Sequence, residues 1–290
     1  MVLENGVIRA EINPKGAELR SLRTVAADEE YLWNADPAYW AKTSPVLFPI
    51  VGALKDNCYH YGGKTYPLSR HGFARDRIFE ASKLADDAAV FVLRDSEETR
   101  AYYPFAFQLS LRYTLQGRSL RCTYEVHNPS ESHPLLFSIG GHPAFAVGGK
   151  GEQPAYEDHY LEFPADDALY CHTIDRDLIS NRTQTLALDR HQLPLKHALF
   201  YDDALVLKTL KSPVITLRNH VNGRGIHFKR DGFPYFGIWA AKDADFVCLE
   251  PWCGLADSSE HNQQLEDKEG IQRLEAGGTW TRYWEVALLG

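Results

Sequence analysis

The sequence predicts an all-β protein built from stacked antiparallel sheets with few short helices. The clearest observation is a pair of segments, 105–115 and 120–126, in which apolar side chains occupy every second position. A turn-forming run, Gln116-Gly117-Arg118-Ser119, separates them. Alternation with a period of two predicts strands buried on one face, and the turn between two such strands predicts a hairpin.

The same alternation recurs along the chain, which extends the prediction from one hairpin to whole sheets. Gly, Pro, Asn and Asp separate the alternating segments, and no segment has a long helical periodicity. Short helical turns are expected only near 37–40 and 257–265. The further predicted strands are 7–12, 89–94, 214–217, 226–229, 235–240, 246–250 and 280–288. Many short strands with short connections favour stacked antiparallel sheets over an α/β fold.

We expect a single domain over residues 1–290. No Pro/Gly/Ser-rich linker divides the chain, and large β folds reach this length as one domain. The most glycine-rich segment is 148–151, shortly after His142. We interpret it as a long loop at the functional site rather than as a domain boundary.

Composition and charge exclude several classes of partner. The chain has 290 residues, of which 44% are hydrophobic, and a formal net charge of -8. It has no Lys/Arg-rich run that would supply the clustered cations needed to bind nucleic acid. No secretory leader and no apolar stretch of membrane-spanning length are present, so we expect no membrane association. The five cysteines are scattered and are interpreted as reduced thiols, so we expect a cytoplasmic protein.

Two residues are candidates for an acid/base pair. Glu250 ends the apolar run 246–249 and precedes Pro251, whose missing N–H predicts that the strand ends at this carboxylate. His142 follows two glycines, and the proline after it restricts its backbone to extended conformations. A carboxylate and an imidazole in different environments can give and take a proton across one substrate. Each residue also has an ordinary interpretation, as a strand-end carboxylate paired with arginine and as a hydrogen-bonded core histidine.

Several further polar and aromatic residues are candidates for binding. His71 lies between an arginine and a glycine, and Arg75 follows, so the segment offers donors to a polyhydroxylated or anionic ligand. Asp202 and Asp203 stand at a strand start, where they suit either the binding of ligand hydroxyls or the capping of a turn. Trp252, like other tryptophans near predicted strand ends, suits either stacking on an apolar ligand face or core packing.

The sequence lacks the motifs of cofactor-dependent or covalent catalysis. It has no GxSxG nucleophile elbow, no phosphate-binding loop and no dinucleotide-binding glycine pattern. Histidines at the spacing of metal ligands on a helix are also missing. We therefore expect neither a cofactor nor a metal.

Short motifs in a particular order run through almost the whole chain. They are Gly16-Ala17-Glu18-Leu19, Phe48-Pro49-Ile50-Val51-Gly52, Arg70-His71-Gly72-Phe73-Ala74-Arg75, Gly140-Gly141-His142-Pro143-Ala144-Phe145, Phe233-Pro234-Tyr235-Phe236-Gly237-Ile238-Trp239 and Glu250-Pro251-Trp252. This order resembles the aldose 1-epimerase (galactose mutarotase-like) family, most closely the branch that includes the LacX-type proteins. The resemblance implies a large antiparallel β supersandwich with a sugar site in an open cleft.

The resemblance also implies roles for individual residues. Glu250 falls where the family has the general base that takes the proton from the C1 hydroxyl of an aldohexose. His142 falls where the family has the general acid that protonates the ring oxygen, so that ring opening, rotation and closure exchange the anomers. His71 is implied to bind the sugar and polarise the ring oxygen. The match at Asp202 and Asp203 is looser and does not say which of them faces the sugar hydroxyls.

One departure from the family leaves the substrate open. Better-known galactose mutarotases carry an arginine after the segment that corresponds to Phe48–Gly52, whereas the cations available here are Lys55 and Arg75. Lysine does not replace arginine in a bidentate role. Arg70 and Arg75 keep a hexose 6-phosphate open as the substrate, and a non-catalytic carbohydrate-binding protein on the same scaffold is a third alternative. The oligomeric state is not indicated by the sequence.

Overall fold

The computed structural model describes residues 1–148 and 154–290. The predicted loop at 148–151 lies outside these residues, apart from Gly148. No helix in the described ranges is long and apolar enough to cross a membrane.

Strands dominate the described residues, so the predicted all-β fold class is confirmed. The strands are β1 (Val2–Glu4), β2 (Ile8–Asn13), β3 (Glu18–Thr24), β4 (Val46–Leu47), β5 (Cys58–Tyr61), β6 (Lys64–Pro67), β7 (Glu80–Ala85), β8 (Ala88–Arg94), β9 (Gln108–Gln116), β10 (Ser119–His127), β11 (Leu135–Phe137), β12 (Ile139–Gly141), β13 (Ala144–Ala146), β14 (His159–Glu162), β15 (Ala168–Asp175), β16 (Leu178–Ala187), β17 (Gln192–Pro194), β18 (Leu205–Leu207), β19 (Val214–Asn219), β20 (Gly225–Asp231), β21 (Tyr235–Trp239), β22 (Phe246–Cys253), β23 (Gln272–Leu274) and β24 (Thr279–Leu289). The helices are short: they are α1 (Glu97–Arg100) and 3₁₀ turns at Lys55–Asn57, Ala74–Asp76, Tyr156–Asp158, His197–Phe200 and Leu265–Asp267.

Of the two predicted helical turns, the first forms as a single turn and the second lies later than expected. Residues 37–40 make a single turn closed by a backbone hydrogen bond to Asp36, and in the region 257–265 a 3₁₀ turn begins only at Leu265. Asp36 and Asn262 each accept, through the side chain, the backbone N–H of the residue two positions later. At Asp36 this bond caps the start of the single turn, whose i to i+4 bond runs from the Trp40 N–H to the Asp36 carbonyl, whereas at Asn262 it closes a local turn before the 3₁₀ turn begins.

Two large antiparallel sheets contain most of the strands. One has nine strands in the order β17-β14-β19-β20-β24-β10-β9-β8-β7. The other has eight, in the order β16-β15-β18-β21-β22-β12-β4, with β13 also paired to β22. The smaller sheets are β1-β2-β3, β5-β6 and β11-β23. β22 is therefore an interior strand of the eight-stranded sheet, with β21 on one side and β12 and β13 on the other.

The predicted hairpin is confirmed as β9 and β10. These strands pair with Gln116 opposite Ser119, so two residues form the turn between them. Leu111 and Tyr113 are buried, whereas Arg112 between them is exposed. This is the alternation expected of a strand with one face on the core and one in water.

The two large sheets pack face to face over a shared aromatic core. The ring centroid of Phe228 in β20 lies 6.0 Å from that of Phe236 in β21 and 6.0 Å from that of Phe145 in β13. Trp284 in β24 is fully buried and stacks on Phe228 at 5.7 Å. Burying a large apolar side chain stabilises a fold by roughly 1.5–3 kcal/mol. The stacked sheets agree with the supersandwich that the resemblance implies.

The other face of the eight-stranded sheet, called here the cleft face, carries a smaller apolar cluster. Val206 of β18 belongs to it, whereas Leu205 and Leu207 on either side belong to the main core. The strand β22 is thus covered on both faces, and each of its residues is buried. Coverage on both sides explains why its sequence is apolar without alternation. The members of the cluster are Leu47, Val51, Ile179, Val206, Trp252, Leu255 and Ala256.

The predicted end of this strand at Glu250 is wrong, because β22 continues through Pro251 to Cys253. The N–H of Leu249 donates to the carbonyl of Pro143 at 3.1 Å, and by alternation Pro251 faces the same neighbouring edge. That edge is interrupted between β12 and β13. A residue without an N–H is tolerated where the partner strand offers no regular ladder.

Candidate active site

A cavity of about 500 Å³ opens on the cleft face of the eight-stranded sheet. All the predicted site residues except Lys55 line it. Val51, Val206 and Trp252 of the smaller apolar cluster also contribute to its wall. A concave cavity with an apolar surface and a few convergent polar groups is the usual form of a small-molecule site.

His142 and Glu250 meet in this cavity. Glu250 projects from β22 opposite Gly237 of β21. His142 lies in the break between β12 and β13, which pair with β22 on either side of Glu250. The bond from Leu249 to Pro143 fixes the chain directly after the histidine. The break in the neighbouring edge therefore directs the imidazole at the carboxylate, and His142 Nε2 lies 3.2 Å from Glu250 Oε2.

Burial shifts the pKa values of both groups toward their neutral forms. Glu250 is 1% exposed, and burial together with the charge of Asp203 raises its pKa well above the usual range, against the opposing charge of Arg70. Burial lowers the pKa of His142 to about 3. Among the described residues, Glu250 Oε2 and His142 Nδ1 have no hydrogen-bond partner. These polar atoms are almost fully buried and have no protein partner to give up if a ligand reaches them.

The two shifts together favour a pair that holds one ionisable proton. The shifted pKa values favour a protonated Glu250 beside a neutral His142. Moving that proton across gives a carboxylate and an imidazolium with the same total charge. Two groups that interact this strongly titrate as a unit. The pair can therefore accept a proton at one end and donate one at the other without a net change in its charge.

Two of the other tryptophans near predicted strand ends or loops, Trp40 and Trp239, hold His142 in place. Trp40 stacks on the imidazole with ring centroids 4.9 Å apart, and Trp239 meets the same ring edge-on at 5.6 Å. These rings fix the orientation of the imidazole and exclude water from it, which agrees with its lowered pKa. In the sequence, each of them is an aromatic residue near a predicted strand end or loop. That position is as typical of core packing as of a functional site.

His71 enters the cavity from a strained turn. Its φ of 68° lies in the left-handed region, which costs roughly 1–3 kcal/mol for a residue other than glycine. The N–H of Gly52 donates to His71 Nδ1 at 3.1 Å, and Arg70 Nε donates to His71 Nε2 at 3.3 Å. A neutral imidazole has one acceptor nitrogen, so it can satisfy only one of these donors. If the shorter bond from the backbone is kept, Nε2 carries the hydrogen and Arg70 Nε loses this acceptor. Burial lowers the pKa of His71 well below its usual value, which makes it a neutral donor.

Two arginines line the cavity, and both lie near carboxylates: Arg70 near Asp177 and Asp203, and Arg75 Nε at 3.8 Å from Asp76 Oδ2. Arg70 Nη1 donates to Asp177 Oδ1 at 2.6 Å, and its Nη2 lies 3.9 Å from Asp203 Oδ1. Arg75 donates to the Arg70 carbonyl at 2.9 Å, and its Nε has no hydrogen-bond partner in the described part of the chain. Asp177, Asp202 and Asp203 line the cavity, so its aspartates at least balance the positive charges of the two arginines.

The two predicted aspartates occupy different positions. Asp203 is half-buried, has a φ of 141° and accepts the N–H of Ala204 through Oδ1 at 2.7 Å. Asp202 lines the same cavity but is exposed. A strained non-glycine backbone persists only where its surroundings enforce it. Asp203, whose charge contributes to the raised pKa of Glu250, is the one nearer to the acid/base pair.

The structure does not bring Lys55 into the cavity. Its Nζ donates to the carbonyl of His261 at 3.2 Å, and its backbone N–H donates to Asp257 at 3.0 Å. The lysine thus helps to attach a neighbouring loop. Its closeness in sequence to Phe48–Gly52 carried no information about the direction of its side chain.

The paired glycines before His142 make room for aromatic side chains of the protein itself. A Cβ at Gly140 would lie 2.6 Å from the ring of Trp252, and a Cβ at Gly141 would lie 2.6 Å from the Tyr124 hydroxyl. On the other side of β22, a Cβ at Gly237 would lie 2.3 Å from the Trp252 ring. Glycines on both neighbouring strands therefore leave the space that Trp252 fills on the cleft face.

Among the described residues, one buried cluster has the composition of a metal site. It consists of His142, Cys248 and Glu250, whose ligand atoms all lie within 4.8 Å of one another. Cys248 and Glu250 are two positions apart on β22 and project from the same face. Burial and the charge of Glu250 raise the pKa of the Cys248 thiol well above its usual value.

Comparison with known proteins identifies the family. The model of the aldose 1-epimerase family matches residues 1–283. The chromosomal LacX protein of Lactococcus lactis subsp. lactis is 31% identical over 99% of this chain and 98% of its own length. The chain belongs to the aldose 1-epimerase family. The membership and the LacX-type resemblance expected from the order of the motifs are thereby confirmed.

Solved structures and a more distant relative are also similar to this aldose 1-epimerase family member. A galactose mutarotase related enzyme from Lactobacillus acidophilus is 32% identical with a TM-score of 0.94, over 100% of this chain and 97% of that one. A galactose mutarotase-like protein from Lactobacillus casei ATCC 334 is 30% identical with a TM-score of 0.90, over 100% and 99%. A putative glucose-6-phosphate 1-epimerase from Escherichia coli K12 is 25% identical over 53% of each chain.

Proposed function

We propose that this protein catalyses the interconversion of the α and β anomers of an unphosphorylated aldohexose. The observation that carries the proposal is the buried pair of His142 Nε2 and Glu250 Oε2, 3.2 Å apart on the cavity wall. The C1 hydroxyl and the ring oxygen of a sugar are bonded to the same carbon. An acid and a base this close together can therefore reach both oxygens of one bound sugar.

In the proposed reaction the pair begins as a Glu250 carboxylate and a His142 imidazolium. Glu250 takes the proton of the C1 hydroxyl, His142 donates its proton to the ring oxygen, and the bond between C1 and the ring oxygen breaks. The open-chain aldehyde rotates about C1–C2. Ring closure returns both protons and leaves the hydroxyl on the opposite face of C1.

The proton balance of this cycle closes within the pair, which is why we propose that no cofactor takes part. Ring opening moves one proton from the sugar to Glu250 and one from His142 to the sugar. The pair then has its neutral form, the one that burial favours in the free protein. Hydrogen bonds from sugar hydroxyls to the unpartnered Glu250 Oε2 would stabilise the carboxylate at the start of the cycle.

The other predicted residues have roles in binding under this proposal. His71 Nε2–H donates to the ring oxygen and supports its protonation. Asp203 accepts hydrogen bonds from ring hydroxyls. Trp252 and the apolar cluster contact the C–H face of the sugar, where aromatic rings provide a large apolar surface.

The charge of the cavity favours a neutral sugar over a phosphorylated one. A phosphate would need unpaired cations, whereas Arg70 is bound to Asp177 at 2.6 Å and lies near Asp203. A hexose 6-phosphate is the second candidate, favoured by the unpartnered Nε of Arg75 and by the likeness to the putative glucose-6-phosphate 1-epimerase. Non-catalytic sugar binding is less favoured, because a binding protein does not need an acid/base pair.

The test is the rate of anomer interconversion, followed by polarimetry with freshly dissolved galactose, glucose and glucose 6-phosphate. We expect acceleration with a free hexose, little with the phosphate, and a loss of about 10²–10⁴-fold in Glu250→Gln, which is the usual contribution of general acid–base catalysis. An equal or higher efficiency on glucose 6-phosphate would select the second candidate. Sugar binding without acceleration of any of the three would refute the catalytic proposal.

A further inference from the structure

We propose that His142, Cys248 and Glu250 form a binding site for a thiophilic divalent cation such as Zn²⁺, and that the ion excludes the sugar. The ion would be an inhibitor of the enzyme rather than a cofactor. The metal site itself rests on the geometry of three side chains. The exclusion of the sugar rests in addition on the proposed function, because it assumes that the sugar uses the same atoms.

The set of ligands selects the class of metal. An imidazole nitrogen, a cysteine sulfur and a carboxylate oxygen are the donors found in zinc sites. Magnesium and calcium prefer oxygen ligands throughout, so the sulfur of Cys248 argues against them. His142 and Glu250 line the cavity and Cys248 is buried next to them, so the fourth position of an ion is left to water from the cavity, as in zinc sites that remain open on one side.

The distances require only a small closure around the ion. The ligand atoms of the three residues lie within 4.8 Å of one another, and the pair of His142 and Glu250 is already at 3.2 Å. Zinc bonds of about 2.1 Å to nitrogen and about 2.3 Å to sulfur place tetrahedral ligands roughly 3.3–3.8 Å apart. The largest movement needed is therefore about 1 Å. Because Glu250 Oε2 has no hydrogen bond to give up, this carboxylate can turn at little cost.

The surroundings of the three ligands carry charges of both signs. The cavity is lined by Asp177, Asp202 and Asp203, and by Arg70 and Arg75. The arginines act on His142, and Arg70 acts on Glu250 against Asp203, so selection of the cation rests on the three donor atoms rather than on the charge of the cavity. The imidazole is also held in advance, since Trp40 and Trp239 pack against the His142 ring. Metal sites gain affinity when their ligands are held in the bound orientation beforehand.

The position of the ion predicts the form of inhibition. An ion bound to Glu250 Oε2 and His142 Nε2 would occupy the two atoms that we assign to the proton transfers of the sugar. Metal and sugar could not bind together, so Zn²⁺ would raise the apparent KM and leave kcat unchanged.

The test measures zinc binding directly, by titration calorimetry with ZnCl₂ on the intact protein. Cys248→Ala removes the sulfur ligand. Cys253→Ala is the matched control, because Cys253 is also buried and lies on the same strand but is not part of the cluster. We expect the Kd for zinc to rise at least about tenfold in Cys248→Ala. Removing a residue that only hydrogen-bonds to a metal ligand already lowers metal affinity about 10–100-fold. Cys253→Ala should match the wild type. Cobalt should give a thiolate-to-metal absorption band that is absent in Cys248→Ala.

The outcomes separate this inference from the proposed function. Equal zinc affinity in the wild type and Cys248→Ala, or no zinc binding in an active enzyme, would overturn the metal site. Tight binding that depends on Cys248 but leaves the anomer exchange rate unchanged would overturn the competition. If no sugar is turned over while zinc binding still depends on Cys248, the metal site stands and the proposed function fails. Should Cys248→Ala not fold by circular dichroism, Cys248→Ser gives the same comparison.

Discussion

The pH dependence of the anomer exchange follows from the single proton shared by His142 and Glu250. The pair is active with one proton and is inactivated by gaining a second or losing the first. Because burial lowers the pKa of His142 to about 3, the second proton binds only in strong acid. Because burial raises the pKa of Glu250, the first proton leaves only well above that group's usual range. We therefore expect a broad plateau in kcat/KM around neutral pH.

The size of the effect can be worked out from these shifts. At pH 5, two units above a His142 pKa of about 3, about 99% of the pairs lack the second proton. Because burial raises the pKa of Glu250 well above its usual value, the pair also keeps its first proton to higher pH than an ordinary carboxyl and histidine would. With ordinary values of about 4.3 and 6.5, the singly protonated form would fall to about 9% at pH 7.5. The shifted pair should therefore be more active than an unshifted one at that pH.

The assay is anomer exchange by NMR from pH 5 to 7.5, with the uncatalysed rate subtracted at each pH. We expect kcat/KM to change by less than about twofold across this range. A fall of about tenfold between pH 5.5 and 7.5, with a midpoint near 6.5, would refute the reasoning. It would mean that His142 titrates as an exposed histidine does.

Other perturbations test the packing around the site. Because the pKa of folded Glu250 is raised, the folded protein loses stability as pH rises from about 4.5 toward that pKa, by up to about 1.4 kcal/mol per unit. The melting temperature of Glu250→Gln should therefore exceed that of the wild type by a margin that grows from pH 5 to 7.5, and a constant margin would contradict the shift. Gly237→Ala puts a Cβ 2.3 Å from the Trp252 ring and should lower the free energy of unfolding in urea by about 1–3 kcal/mol. Unchanged stability would mean that the ring moves freely. Trp40→Ala should raise the pKa of His142 toward 6.5 in an NMR titration and lower kcat about tenfold. Trp40→Phe, which keeps an aromatic ring, should retain most of the lowered pKa and most of kcat. A His142 pKa that stays low in Trp40→Ala would assign the desolvation to other residues.

The sequence was most informative where periodicity or the order of the motifs determines structure. The hairpin of β9 and β10 followed from alternation alone, because its side chains have one buried and one wet face. His142 and Glu250 had ordinary structural interpretations when taken singly, and only the family resemblance brought them together. Their meeting depends on the break between β12 and β13, which pairing across the sheet creates and local sequence does not specify.

What the sequence left out depends on tertiary contacts. Trp40 and Trp239 contact His142, but an aromatic residue near a strand end looks the same whether it packs in the core or in the site. Lys55 was predicted from its neighbours along the chain, whereas its direction is set by a loop some two hundred residues later. Pro251 was interpreted as a strand end because the interruption of the neighbouring strand is invisible in the sequence.

A double-mutant cycle on anomer exchange tests the central claim most directly, namely that His142 and Glu250 act as one proton-sharing pair. The rates of the wild type, His142→Asn, Glu250→Gln and the double variant would be measured by NMR exchange with galactose and glucose. If the pair acts as a unit, each single variant should lose about as much activity as the double variant. Losses that simply multiply in the double variant, or a single variant with nearly full activity, would contradict the shared proton and the mechanism built on it.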